Sequence, residues 1–145
     1  MCDFTNLTIP GENWWDGYDL TKVDLSNNEI PSVPQEIGSQ QEINHFNLNT
    51  NLLQELPESI FTLRNLKFLD VSFNQLKYLP ESIGQCQSLA VLKAKGNQLQ
   101  GLPQSIGELS QNLEILDLSQ NKIRSLPEAQ FGRLARLLTL NLNEN

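Results

Sequence analysis

Few side chains in this sequence have the chemistry of a reactive centre: one histidine, His45, and two cysteines, Cys2 and Cys86. An imidazole acts as a general base only beside a nucleophile it can activate or a group that orients it. His45 has Lys22 and Asn47 as its neighbours in the pattern set out below, with no serine or cysteine placed to be activated. It reads as a surface histidine. The two cysteines are neither clustered nor in metal-ligand spacing, so neither a metal site nor a disulfide framework is implied. The phosphate-cradling G-x-x-x-x-G-K-[ST], the zinc-binding H-E-x-x-H and the Gly-rich dinucleotide loop are all missing. No cofactor, metal or catalytic residue is expected, and the chemistry left to the chain is recognition.

The bulk properties narrow the partners. A chain of 145 residues suits one domain that buries about two thirds of its unfolded surface. Ten Lys+Arg against seventeen Asp+Glu leave a net charge of −7, which repels phosphate backbones and anionic lipid. Nucleic acid and membrane are therefore not expected partners. The opening MCDFTNLTIPGENWWDG has no basic region and no apolar run of signal-peptide length, and no stretch of the chain is long and apolar enough to span a bilayer. A cytoplasmic location is expected. Asn6-Leu7-Thr8 matches a glycosylation acceptor, but without an export signal it never meets the enzyme that uses it.

What must position any binding residue is a repeat. Aligned on their asparagines, the segments read LTKVDLSNNEI (20–30), INHFNLNTNLL (43–53), LKFLDVSFNQL (66–76), LAVLKAKGNQL (89–99) and LEILDLSQNKI (113–123). Asn28, Asn51, Asn74 and Asn97 lie 23 apart, Asn121 follows after 24, and LLTLNLNEN (137–145) opens a sixth copy. The fourth and sixth positions of each copy are apolar between polar neighbours, the period-2 pattern of a strand with one buried face. Copies that all run the same way, with a crossover between them, must pair in parallel. Each asparagine amide can donate to and accept from the inward backbone of its turn, where an unpaired group costs about 1–3 kcal/mol.

The proline of each Leu-Pro or Val-Pro pair (Pro34, Pro57, Pro80, Pro103, Pro127) suits the first turn of a short helix or 3₁₀ segment. Ile37, Ile60, Ile83, Ile106 and Phe131 then point into the core, and Gly38, Gly84, Gly107 and Gly132 are expected to end the turn. Cys86 falls where other copies have Leu63, Leu109 and Leu134, so it reads as a small core hydrophobe. Each repeat buries roughly six apolar side chains at ~1.5–3 kcal/mol apiece before chain entropy is subtracted, and none is stable alone.

Over residues 20–145 the pattern L-x-x-L-x-L-x-x-N-x-L, followed by x-x-L-P-x-x-I-G, resembles the leucine-rich repeat family. The resemblance implies an α/β right-handed solenoid, a horseshoe with a concave parallel sheet and short helical or 3₁₀ turns on the convex side. The repeats divide as 20–42, 43–65, 66–88, 89–112, 113–136 and an incomplete 137–145, with 1–19 as an N-terminal capping flank. There Phe4, Leu7, Trp14 and Trp15 are expected to cover the first repeat. Within the family, ENWWDGYDLTKVDLSNNEI (12–30) resembles the N-terminal part of leucine-rich repeat-containing protein 40. The carriers are the paired tryptophans with an acidic residue after them, and Asp19-Leu20-Thr21-Lys22 leading to Ser26-Asn27-Asn28.

On such a sheet the third, fifth and seventh strand positions face the concave side. The third-position column runs Lys22, His45, Phe68, Val91, Ile115, Thr139; the fifth Asp24, Asn47, Asp70, Lys93, Asp117, Asn141; the seventh Ser26, Asn49, Ser72, Lys95, Ser119, Asn143. Phe68, Val91 and Ile115, with Phe73 beside them, form an apolar strip rimmed by Asp70, Lys93, Lys95 and Asp117. Two accounts of the strip stand side by side: a protein-binding patch, or the ordinary preference of strands for β-branched and aromatic residues. Lys93, between Asp70 and Asp117, either meets a partner's carboxylate or completes an internal charge ladder of about 0–1 kcal/mol.

The expected function is a non-catalytic protein-binding module or scaffold. The alternative is the repeat arm of a signalling enzyme (kinase, GTPase or ubiquitin ligase) whose catalytic domain lies beyond Asn145. A strand at Leu140 and Leu142 with nothing over it invites association. The sequence is thus read as the front of a longer solenoid, the other reading being an open end that pairs with another copy or another protein.

Overall fold

The computed structural model describes the backbone of Cys2–Asp3 and residues 20–145. The flank residues Phe4, Leu7, Trp14 and Trp15, expected to form a lid, lie outside the described residues. Seven short strands, β1 (Cys2–Asp3), β2 (Lys22–Asp24), β3 (His45–Asn47), β4 (Phe68–Asp70), β5 (Val91–Lys93), β6 (Ile115–Asp117) and β7 (Thr139–Asn141), form one parallel sheet in sequence order. From β2 onward the pairing puts like positions opposite one another, Val23 to Phe46 to Leu69 to Leu92 to Leu116 to Leu140. β1 adds a strand that the repeat pattern does not announce, pairing Cys2 with Val23 and Asp3 with Asp24.

The period-2 reading of the strands holds. Val23, Phe46, Leu69, Leu92 and Leu116 have no exposed surface, while the third-position residues of β3 to β6 are half-buried on the other side. The core continues through Ile37, Ile60, Ile83 and Ile106, all fully buried, and Phe131 packs against it partly exposed. Cys86 sits in this core; burial pushes its thiol up to about 12, so it stays protonated and inert at neutral pH.

From β2 onward the asparagine column closes the turn behind each strand. The Asn74 amide nitrogen donates to the carbonyls of Leu48 and Val71, each at 3.0 Å, and its oxygen accepts the Leu53 N–H at 3.0 Å. Asn51, Asn97 and Asn121 repeat the scheme.

Returning to the sheet, the chain makes 3₁₀ turns at Gln35–Ser39, Glu58–Thr62, Glu81–Gln85 and Gln104–Leu109, and one short helix, α1 (Glu128–Phe131). The prolines differ slightly from expectation. Pro34, Pro57, Pro80 and Pro103 stand just outside the 3₁₀ turns in extended conformation. From there their carbonyls accept the N–H of Ile37, Ile60, Ile83 and Ile106 at 3.1–3.2 Å.

The glycines require a correction. Gly38, Gly84 and Gly107 lie inside the turns, and Gly132 ends α1 with φ −62°, so none supplies a left-handed stop. Their use is close approach. A methyl carbon on Gly84 would come within 2.9 Å of the Ser105 carbonyl oxygen, and one on Gly107 within 2.7 Å of that of Gln130. Lacking a side chain lets successive outer turns stack at the spacing the strands impose.

Candidate functional site

Along the concave face His45, Phe68, Val91 and Ile115 stand in direct register, each opposite the next. All four are half-buried, whereas Lys22 and Thr139 beyond them are exposed. The His45 ring lies flat on Phe68, with centroids 4.0 Å apart and planes 1° from parallel. Desolvation, followed by the nearby Lys22 charge, holds its imidazole below the usual value of 6.5, so the stacked ring is neutral at pH 7.

Phe73 reaches the same face from the turn after β4. Its φ is +52°, in a column where the other repeats place Asn27, Thr50, Gly96, Gln120 and Glu144. A bulky residue in the left-handed region is strained by about 1–2 kcal/mol. The ring is 46% exposed. It lies over Gly96, where an added methyl carbon would meet Phe73 Cδ1 at 2.7 Å. Lys93 Nζ stands 5.6 Å from the centroid of Phe68, and Lys95 Nζ stands 5.7 Å from that of Phe73. Each ammonium thus rests on an aromatic face. Phe68, Phe73, Val91, Ile115, Lys93 and Lys95 are all brought together on repeats three to five.

Asp70 and Asp117 are differently employed. Asp24, Asn47, Asp70, Asp117 and Asn141 each accept the backbone N–H two residues on, at 2.9–3.1 Å. Asp117 also accepts the Ser119 hydroxyl at 2.7 Å, and Asp70 is buried. The fifth column is therefore a ladder of Asx turns, each carboxylate or amide folded onto its own strand end. The internal charge ladder does not form. Among the described residues the sole ion pair is Arg133 with Glu108 at 3.4 Å, and Lys93 pairs with neither of its flanking aspartates.

Two features escaped the sequence reading. His45 extends the aromatic strip by one repeat, and its distance of one period from Phe68 was the signal. A groove of about 390 Å³ also opens where the chain enters the outer turns, lined by Val33, Pro34, Leu56, Pro57, Tyr78 and Pro80, with the Tyr78 hydroxyl donating to Glu55 Oε2 at 3.3 Å. Among the described residues no three His, Cys, Asp or Glu side chains gather as a metal site, and no helix is long and apolar enough to cross a membrane.

The family profile described as leucine rich repeat matches residues 19–76 and 87–145. A search of curated proteins finds no match. Among solved structures the chain is similar to the PEPR1–AtPEP1 complex, with 37% identity over 86% of this chain and 18% of that one, at a TM-score of 0.79. It is similar to the plant peptide hormone receptor RGFR1 in complex with RGF2, with 32% identity over 83% of this chain and 20% of that one, at 0.72. A leucine-rich repeat protein of Leptospira interrogans shows 34% identity over 85% of this chain and 37% of that one, at 0.62. The chain thus spans well under half the length of each.

Proposed function

Because the chain belongs to the leucine-rich repeat family, we propose that it is a non-catalytic protein-binding module whose site is the concave face centred on Phe68, Phe73, Val91 and Ile115. The observation that carries this reading is the run of half-exposed apolar and aromatic side chains held in strict register on an otherwise polar sheet. Stacked repeats fix those side chains before any partner arrives, so association costs little ordering on this side. The solved relatives support the same reading, one of them being by title a plant peptide hormone receptor in complex with RGF2.

Further parts of the reading rest on less. They are a cytoplasmic location, a scaffold role in signalling, kinship with leucine-rich repeat-containing protein 40, and membership of a longer repeat protein. The short share of each relative that the chain covers favours that last point. It equally admits a repeat arm attached to a signalling enzyme. Sequencing the transcript downstream separates the two: further repeats support the scaffold, and a catalytic domain supports the arm.

The binding face itself is tested by affinity capture with the native chain, Phe68→Asp and Ile115→Asp, each first shown to be folded. Partners retained by the native chain and lost by both variants are expected. Equal recovery by all three removes the face.

A further inference from the structure

We infer that the concave face binds an acidic segment of a partner protein, with a carboxylate held by Lys93 and Lys95 and an adjacent apolar side chain packed beside Phe68 and against the exposed Phe73 ring. This rests on the reading of that face as a binding surface and adds the chemistry of what it takes.

Repeat four departs from the other copies at its fifth, seventh and eighth positions. Five other strands carry Asp or Asn at the fifth position and turn it back onto the backbone. Repeat four has Lys93, whose ammonium cannot accept that hydrogen bond. At the seventh position the other copies have Ser or Asn, and repeat four has Lys95. At the eighth it has Gly96, whose missing side chain leaves room for the Phe73 ring. A repeat that forgoes a local hydrogen bond and admits a strained phenylalanine beside it is departing from what folding alone favours, and such departures gather at sites of function.

Nor does the molecule neutralise the two charges with a carboxylate of its own. Lys93 lies in register between Asp70 and Asp117, yet both carboxylates are engaged with Ser72 and Ser119, and among the described residues neither lysine forms an ion pair. Each ammonium instead sits over an aromatic ring, and its hydrogen-bond donors have no carboxylate partner. Two unpaired cations beside exposed aromatic surface complement a carboxylate flanked by an apolar residue. A long polyanion such as nucleic acid suits the face less well, because the chain as a whole carries −7.

The test pans a displayed random heptapeptide library against the immobilised chain. Asp or Glu next to Phe, Leu, Ile or Val is expected in the enriched sequences; no enrichment, or enrichment of neutral or basic sequences, overturns the proposal. An enriched peptide, made with blocked termini, is then titrated against Lys93→Asn, Lys95→Ser and Phe68→Asp. Asn and Ser are the residues other repeats place in those columns. Lys93→Asn should weaken binding by roughly tenfold or more, the loss of one charge-assisted contact, with the urea midpoint unchanged or raised because the Asx turn is restored. Binding lost with Phe68→Asp but kept in both lysine variants sinks the acidic-partner inference and leaves the binding face standing. Binding unaffected by all three sinks both. A single-stranded oligothymidylate that binds as tightly as the peptide, and through Lys93, would show the ligand to be phosphate instead.

Discussion

Removing the Asn74 side chain leaves the buried Leu53 N–H without its acceptor and takes one of two amide donors from the carbonyls of Leu48 and Val71, which keep those of Asn51 and Asn97. Asn74→Ala should therefore cost about 1–3 kcal/mol, beyond a surface substitution, and a urea midpoint measured against the native chain reads it directly. A cost below 1 kcal/mol would mean that water enters the turn and replaces the amide.

His45 supplies the pH dependence at the same scale. Its folded pKa lies below the unfolded 6.5, so the unfolded chain takes up the proton more readily, and stability rises with pH across that window. The contribution is fully present above 6.5 and lost as pH falls through the lowered value. His45→Phe keeps a flat ring on Phe68 and titrates nothing. The difference in urea midpoint between the two chains should shift in favour of the variant as pH drops from neutral into the acid side of this range, and a difference that stays constant would contradict the stacked geometry.

At the scale of elements, the strands were legible because burial on one face writes itself as alternation, and the inward isoleucines because each follows its proline at a fixed distance. The role of the glycines was not. A glycine that ends a turn and one that admits a neighbouring turn look identical in one dimension, and only the stack shows Gly84 against Ser105. The Lys93 pairing was misjudged for a related reason. Spacing puts it between two aspartates, but each carboxylate is turned onto the backbone N–H two residues on, and the Lys93 ammonium lies over Phe68 instead.

Gly84→Ala should destabilise by about 1–3 kcal/mol because the outer turns must shift apart. Gly101, with nothing within 4 Å of the added carbon and no left-handed φ, should accept alanine at no cost or gain about 0.4–1 kcal/mol. Thermal midpoints of the pair decide it, and equal effects would return the glycines to a purely conformational role.

For the molecule as a whole, the period predicted the solenoid but not where its irregularity would go. Two intervals carry one extra residue each, Asn97 to Asn121 and Asn121 to Asn145; the first is absorbed on the outside, where the 3₁₀ turn Gln104–Leu109 has six residues and its three predecessors five, so β5 and β6 keep their register. Among the described residues each strand contacts only the strands next to it in sequence order, and each outer turn only the adjacent outer turns. Stability in such a stack is close to a sum of repeat and interface contributions, so damage should spread by adjacency rather than uniformly. Leu92 is fully buried in β5 and lies opposite Leu69 and Leu116. Leu92→Ala should cost about 2–5 kcal/mol. In hydrogen exchange the amides of β4, β5 and β6 should lose the most protection, and those of β2, two interfaces beyond β4, the least. Equal acceleration along the sheet would instead make the spiral a single cooperative unit, and the rigid presentation proposed for the concave face would then depend on every repeat rather than on the three that carry it.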